Sequence, residues 1–125
     1  MRRNAPTIAC TAAVVSVMAA WVAAAPAPVD FDRDIKPLLA DRCFACHGFD
    51  ANARKAGLRL DVKEGATARL PSGRVAVVPG NPEASELMRR VASGAMPPPS
   101  LGKRLSAEQV DLLRRWIAQG APYGQ

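Results

Sequence analysis

The stretch that decides the fold is Arg42-Cys43-Phe44-Ala45-Cys46-His47-Gly48. The second thiol comes three residues and the imidazole four residues after Cys43, so a helical turn brings all three to one face. This CxxCH spacing is the attachment pattern of c-type haem. We therefore expect one covalent haem, with Cys43 and Cys46 as thioethers to its vinyl groups and His47 as the proximal iron ligand.

Three other uses of these thiols stay open. A redox-active CxxC dithiol usually lies next to a βαβ pattern, which this sequence lacks. A structural zinc ion needs four ligands, whereas the Cys and His residues after position 24 are only Cys43, Cys46 and His47. A disulfide domain without haem is the third alternative, and it leaves the position of His47 unexplained.

The N-terminus has the pattern of an export signal. Arg2 and Arg3 precede a long uncharged, alanine-rich apolar stretch that ends in small residues. Because proline is disfavoured directly after a cleavage site, we place the cut after Ala24, before Ala25-Pro26. The alternative is a retained membrane anchor, since the stretch approaches the roughly 20 residues that a spanning helix needs.

Cleavage divides the chain into a signal peptide, 1–24, and one domain, 25–125, in the periplasm or outside the cell. A chain of 125 residues is too short for a large two-domain enzyme. Losing the two N-terminal arginines lowers the formal charge from +6 to +4.

The remaining charges alternate in sign, as in Asp32-Arg33-Asp34, which favours a solvated surface over a nucleic-acid footprint. We expect redox proteins as partners, no nucleic acid, membrane contact only through an uncleaved signal segment, and a monomer.

Three principal helices are predicted. The first begins at a cap on Asp32 or Asp34, has Pro37 in its first turn and runs towards Cys43. The second begins at Asn81-Pro82-Glu83 and ends at Gly94. The third begins with the Ser106–Gln109 capping box and ends at Gly120.

Two segments between the helices have other patterns. In residues 57–80, Leu58, Leu60 and Val62 alternate with polar residues, which predicts a small, irregular two-stranded insert. The segment Ala95-Met96-Pro97-Pro98-Pro99 is expected to be an extended loop that cannot be helical after Met96, because proline disfavours helix at the preceding residue.

The sixth iron ligand is expected to be a methionine, because His47 is the only histidine. Met96 stands at the head of the proline loop and is favoured, since Met/His ligation recurs in cytochromes c. Met88 remains the alternative, although its place beside Leu87 and Val91 on a helix suits a core role.

At these residues the chain resembles the monohaem class I cytochromes c, and more closely the planctomycete-type cytochrome c domain. The stretches that carry the resemblance are 29–39, 42–48, 57–61, 78–85, 96–98 and 116–121. The resemblance implies thioether haem at Cys43 and Cys46, His47 as proximal ligand, Met96 as distal ligand, and electron transfer.

The predicted fold is all-α and cytochrome c-like, with three principal helices around the haem and a small β-like insert. The predicted function is one-electron transfer by a carrier and not an enzyme, since no free histidine or thiol remains after haem attachment. A haem-based sensor or peroxidase-like module, with an open or weakly held sixth site, is an alternative. So is an electron-feeding N-terminal module of a larger protein, because the family's domain commonly precedes larger ones.

Overall fold

The computed structural model describes residues 18–124 and the isolated positions 2 and 16. Within this part of the chain, the helices are α1 (Lys36–Arg42), α2 (Lys63–Thr67), α3 (Glu86–Ser93) and α4 (Ala107–Ala118). The same residues contain no sheet, so the predicted all-α class is confirmed. Most of the predicted signal peptide lies outside the described residues, and its cleavage stays a prediction. None of the described helices is long and apolar enough to cross a membrane.

The first helical segment begins earlier than predicted. Asp30 caps it by accepting a hydrogen bond from the Arg33 amide at 2.8 Å, and Asp34 accepts one from the Asp30 amide at 3.0 Å. The prediction of a cap at Asp32 or Asp34 was therefore wrong. A wider π-helical turn, Phe31–Ile35, precedes α1. Pro37 lies in the first turn of α1, as predicted.

The second predicted helix is interrupted. Asn81 caps as expected, but it caps a short 3₁₀ turn, Pro82–Ala84, and Ser85 then adopts an extended conformation. The Ser85 hydroxyl is buried and contacts the backbone of Val78 and Asn81, with its shortest hydrogen bonds at 2.9 Å. This tertiary contact separates the turn from α3, which ends at Gly94 as predicted.

The two-stranded insert is also corrected. Residues 57–80 form α2 and irregular segments, with one isolated antiparallel bridge between Arg69 and Val75. The carbonyls of Val75 and Ala76 accept the first two amides of α3, those of Glu86 and Leu87, at 3.0 Å each. These bonds pair two carbonyls of the irregular segment with two amides at the start of α3, which have no partner within the helix.

The proline segment is not extended throughout. A 3₁₀ turn covers Pro99–Leu101, since the fixed φ of proline fits the first position of a helical turn. The bond between Met96 and Pro97 is cis.

Helix α4 follows its prediction closely. The capping box of Ser106 and Gln109 is present, and Leu113, Trp116 and Ile117 are fully buried. Trp116 lies 5.8 Å from the ring centre of Phe31 and 5.3 Å from that of Tyr123. This aromatic cluster joins α4 to the start of the first helical segment.

We predict that Trp116→Ala lowers the free energy of unfolding by about 3–5 kcal/mol, as for other buried aromatic side chains. The indole is completely buried, and its Nε1 donates to the carbonyl of Pro122 at 2.9 Å. Urea unfolding of the haem-loaded protein measures the change. Trp116→Phe, which keeps an aromatic ring, is the control and should lose less; wild-type stability in Trp116→Ala contradicts the packing described above.

Candidate functional site

A largely nonpolar cavity of about 470 Å³ lies between the end of α1, α3 and the proline segment. Cys43, Cys46, His47 and Met96 all line it. Its volume is within the roughly 300–1,000 Å³ typical of small-molecule and cofactor sites. The structure therefore brings together, on one cavity, all of the site residues that the sequence predicted.

A single turn after α1 holds the three residues of the motif. The amides of Cys46 and His47 both donate to the carbonyl of Cys43, at 3.2 and 2.8 Å. The α-helix itself ends at Arg42, but these bonds continue the chain as a further helical turn. Cys43, Cys46 and His47 consequently face the same side.

Gly48 follows this turn because the backbone passes close to itself there. A Cβ atom at position 48 would come within 3.2 Å of the Phe44 carbonyl carbon and still closer to its oxygen. Any other residue at Gly48 would displace the turn that carries His47.

The imidazole of His47 is held by its second nitrogen. Its Nδ1 lies 3.2 Å from the carbonyl oxygen of Lys55, which is placed to accept a hydrogen bond from Nδ1–H. That tautomer leaves Nε2 with a free electron pair, as a metal ligand requires. Burial lowers the pKa of His47 and the positive charge of Arg90 adds to this, while the Lys55 carbonyl opposes it. The net lowering of this pKa favours the neutral form of the imidazole.

The two thiols are not joined in a disulfide. Burial raises the pKa of the Cys43 thiol to about 11. Reactive redox dithiols usually have a lowered thiol pKa, so the environment of Cys43 does not favour the redox-dithiol alternative.

The two candidate methionines have different surroundings. Met96 is half-buried on the cavity wall, and its amide donates to the carbonyl of Arg90 at 3.1 Å. Met88 is 3% exposed and belongs to the hydrophobic core. Met88 is not among the residues that line the cavity.

Sequence reasoning missed the charged residues of the cavity wall. Glu86 and Arg90 are spaced four residues apart on α3, a signal of pairing that the sequence carries. Lys103 is different, because its Nζ contacts the carbonyl of Asp41 at 3.0 Å across 62 positions of sequence. No local pattern indicates that contact.

Arg42 also lines the cavity, and its Nε atom is buried. This nitrogen lies 2.7 Å from a carboxylate oxygen of Asp41, but the angles are unsuitable and it has no hydrogen-bond partner among the described residues. A buried donor of this kind has a strong physical requirement for an acceptor.

The family model described as Planctomycete cytochrome C matches residues 43–100. The matched range begins at the first cysteine of the CxxCH motif and includes both His47 and Met96. No curated protein and no solved structure matches the chain.

We predict that Gly48→Ala lowers the yield of covalently loaded protein, because the added methyl group pushes the turn away from the Phe44 carbonyl. Haem staining after denaturing electrophoresis, relative to total protein, measures the loading. Gly73→Ala is the control, because no atom lies within 4 Å of its new Cβ. Its φ of +81° adds backbone strain that Gly48 does not have, so full loading of Gly73→Ala shows that strain away from the turn does not lower attachment. Equal loading of Gly48→Ala and wild type contradicts the steric argument.

Proposed function

We propose that the chain is a monohaem c-type cytochrome that carries out one-electron transfer, on the premise that residues 43–100, which match the family model described as Planctomycete cytochrome C, form a domain of that type. The observation that carries the proposal is the shared cavity, onto which Cys43, Cys46, His47 and Met96 all open. A domain of this family points to haem-based electron transfer, and this cavity supplies one set of ligands for one haem.

Each residue has a defined task in this proposal. Cys43 and Cys46 would hold the haem covalently as thioethers. His47 would bind the iron through Nε2, because Nδ1 is engaged by the Lys55 carbonyl. Met96 would supply a neutral thioether ligand. Bound haem supplies reversible exchange of one electron between Fe(II) and Fe(III).

The cavity wall also offers a charged group that fits the polar edge of a haem. Haem carries propionate carboxylates, and Arg42 Nε is a buried donor with no hydrogen-bond partner in the part of the chain that the structure describes. Charge-assisted hydrogen bonds between guanidinium and carboxylate are among the stronger ones in proteins. We assign Arg42 to a propionate on this ground, while the nonpolar surface of the cavity accommodates the macrocycle.

The setting of the protein follows from the same proposal. The proposal includes a cytochrome c-like fold, and the packing of α4 on α3 and on the first helical segment supports it. The basic, apolar and small-residue pattern of positions 1–24 supports export to the periplasm or the exterior. There the protein acts as a monomeric electron carrier, not an enzyme, and exchanges electrons with redox protein partners.

Both thiols are needed for attachment, because no other cysteine lies in residues 25–125. We predict that Cys43→Ser and Cys46→Ser each lower covalent loading and that the double variant abolishes it. His47→Ala, which lacks the proximal nitrogen, should lack a native absorption spectrum. Co-expression with haem-maturation proteins, followed by haem staining on denaturing gels, tests this. Full covalent loading of the double variant refutes the proposal.

Met96 and Met88 provide a matched pair for the sixth ligand. We predict that Met96→Ala binds carbon monoxide readily, loses the sulfur-to-iron absorption of the oxidised form and has a lower reduction potential, since Met/His ligation raises it. Met88→Ala should keep all three properties and lose stability, because Met88 lies in the core. Spectroscopic titration with carbon monoxide and redox titration measure the difference.

The opposite result, in which only Met88→Ala changes the spectrum, makes Met88 the ligand and contradicts the assignment of Met96. If neither variant changes it, the sixth site is not held by methionine. That outcome favours the second candidate function, a haem-based sensor or peroxidase-like module with an open site.

A further inference from the structure

One carboxylate lies buried in the wall of the cavity. The side chain of Glu86, the first residue of α3, is 8% exposed and lines the same cavity as His47 and Met96. A buried charge is retained only where it is paired. Neither thioether attachment nor iron ligation requires an acidic residue here, so the haem-binding roles proposed above leave Glu86 without a function.

Three guanidinium groups hold this carboxylate. Arg90 Nε and Arg89 Nε each lie 2.9 Å from it, Arg89 contributes a further short bond through its second nitrogen, and Arg74 lies at 3.3 Å. The hydrogen bonds from Arg89, above all, lower the pKa of Glu86 to about 2. Glu86 therefore carries a full negative charge at neutral pH.

The Glu86 carboxylate is buried much more deeply than the three guanidinium groups that pair with it. The side chains of Arg74, Arg89 and Arg90 are 59%, 56% and 43% exposed, whereas Glu86 is almost fully buried. Water and salt screen exposed charges strongly and buried charges much less. The carboxylate is consequently the least screened charge of the group, and its field acts on whatever occupies the cavity.

We propose that Glu86 lowers the reduction potential of the haem that binds in this cavity, an inference that rests on the proposed function. Loss of an electron makes the iron centre more positive, so a nearby buried negative charge stabilises the oxidised form relative to the reduced form. The arginines limit this effect, and removing one of them leaves the carboxylate less compensated. Glu86 thus opposes the increase in potential that Met96 ligation produces.

A purely structural role for Glu86 makes a different prediction. Glu86 lies on α3, and the carbonyl of Arg90 on the same helix accepts the Met96 amide. Loosening of this ion cluster could therefore disturb the Met96 segment. In that case, loss of the carboxylate and loss of an arginine would change the potential in the same direction, whereas the electrostatic role requires opposite directions.

The experiment compares reduction potentials of the haem-loaded protein by redox titration. Glu86→Gln keeps the shape and removes the charge, so the potential should rise. Arg74→Gln removes the most exposed and most distant guanidinium, so the potential should fall. Glu86→Asp keeps the charge on a shorter side chain, so the potential should stay near wild type while thermal stability decreases.

Glu83→Gln is the matched control, because it also breaks a carboxylate–guanidinium pair, with Arg114, but its side chain is 82% exposed and does not line the cavity. It should leave the potential unchanged. The Glu86→Gln shift should also persist in about 1 M salt, where the Debye length is about 3 Å and exposed charges are screened.

An unchanged or lowered potential in Glu86→Gln, shifts of the same sign in Glu86→Gln and Arg74→Gln, or a shift that disappears in high salt overturns the inference. Should Glu86→Gln fail to load haem, Arg74→Gln decides, with a fall supporting the inference and any other result refuting it. Wild-type protein without covalent haem contradicts the proposed function itself. Loaded wild type with no Glu86→Gln shift contradicts only the role of Glu86.

Discussion

The hydrogen bond from the His47 amide to the Cys43 carbonyl is the contact on which the site depends. It closes one turn beyond α1, and that turn directs two thiols and an imidazole into one cavity. This turn requires glycine at position 48, because a side chain there would collide with the Phe44 carbonyl. A short local constraint therefore decides where a cofactor could be attached and from which side.

Helix α3 connects the remaining parts of the cavity. Its first amides bind the carbonyls of Val75 and Ala76, so this irregular segment is held without a neighbouring strand. In its last turn, the carbonyl of Arg90 accepts a hydrogen bond from the Met96 amide. At its first residue, the side chain of Glu86 places a negative charge in a cavity wall that is largely nonpolar. One eight-residue helix thus supports both the position of the candidate distal ligand and the electrostatics around it.

The hydrophobic core and the site are linked through the C-terminal residues. The hydroxyl of Tyr123 donates to the Leu60 carbonyl at 2.9 Å, and the Leu60 amide donates to the His47 carbonyl at 2.9 Å. Tyr123 also lies 4.4 Å from the ring centre of Phe31. The packing of the aromatic cluster is therefore coupled, through Leu60, to the backbone of His47. The hydrophobic core in this way supports the position of His47, the candidate iron ligand.

The sequence alone determined the CxxCH motif, the α4 capping box and the end of α3 at Gly94, because these depend on residues within one or two turns of each other. The sequence also contains the four-residue spacing of Glu86 and Arg90, although nothing local indicates that Glu86 is buried. The choice of the Asp30 cap over Asp32 or Asp34 is local too, since its hydrogen bonds join residues three and four positions apart. The tertiary structure decided the break at Ser85 and the absence of a sheet in residues 57–80. At Ser85 and Val75 the deciding hydrogen bonds join different elements of the chain, and helix and strand patterns do not specify which partner a buried polar group will find.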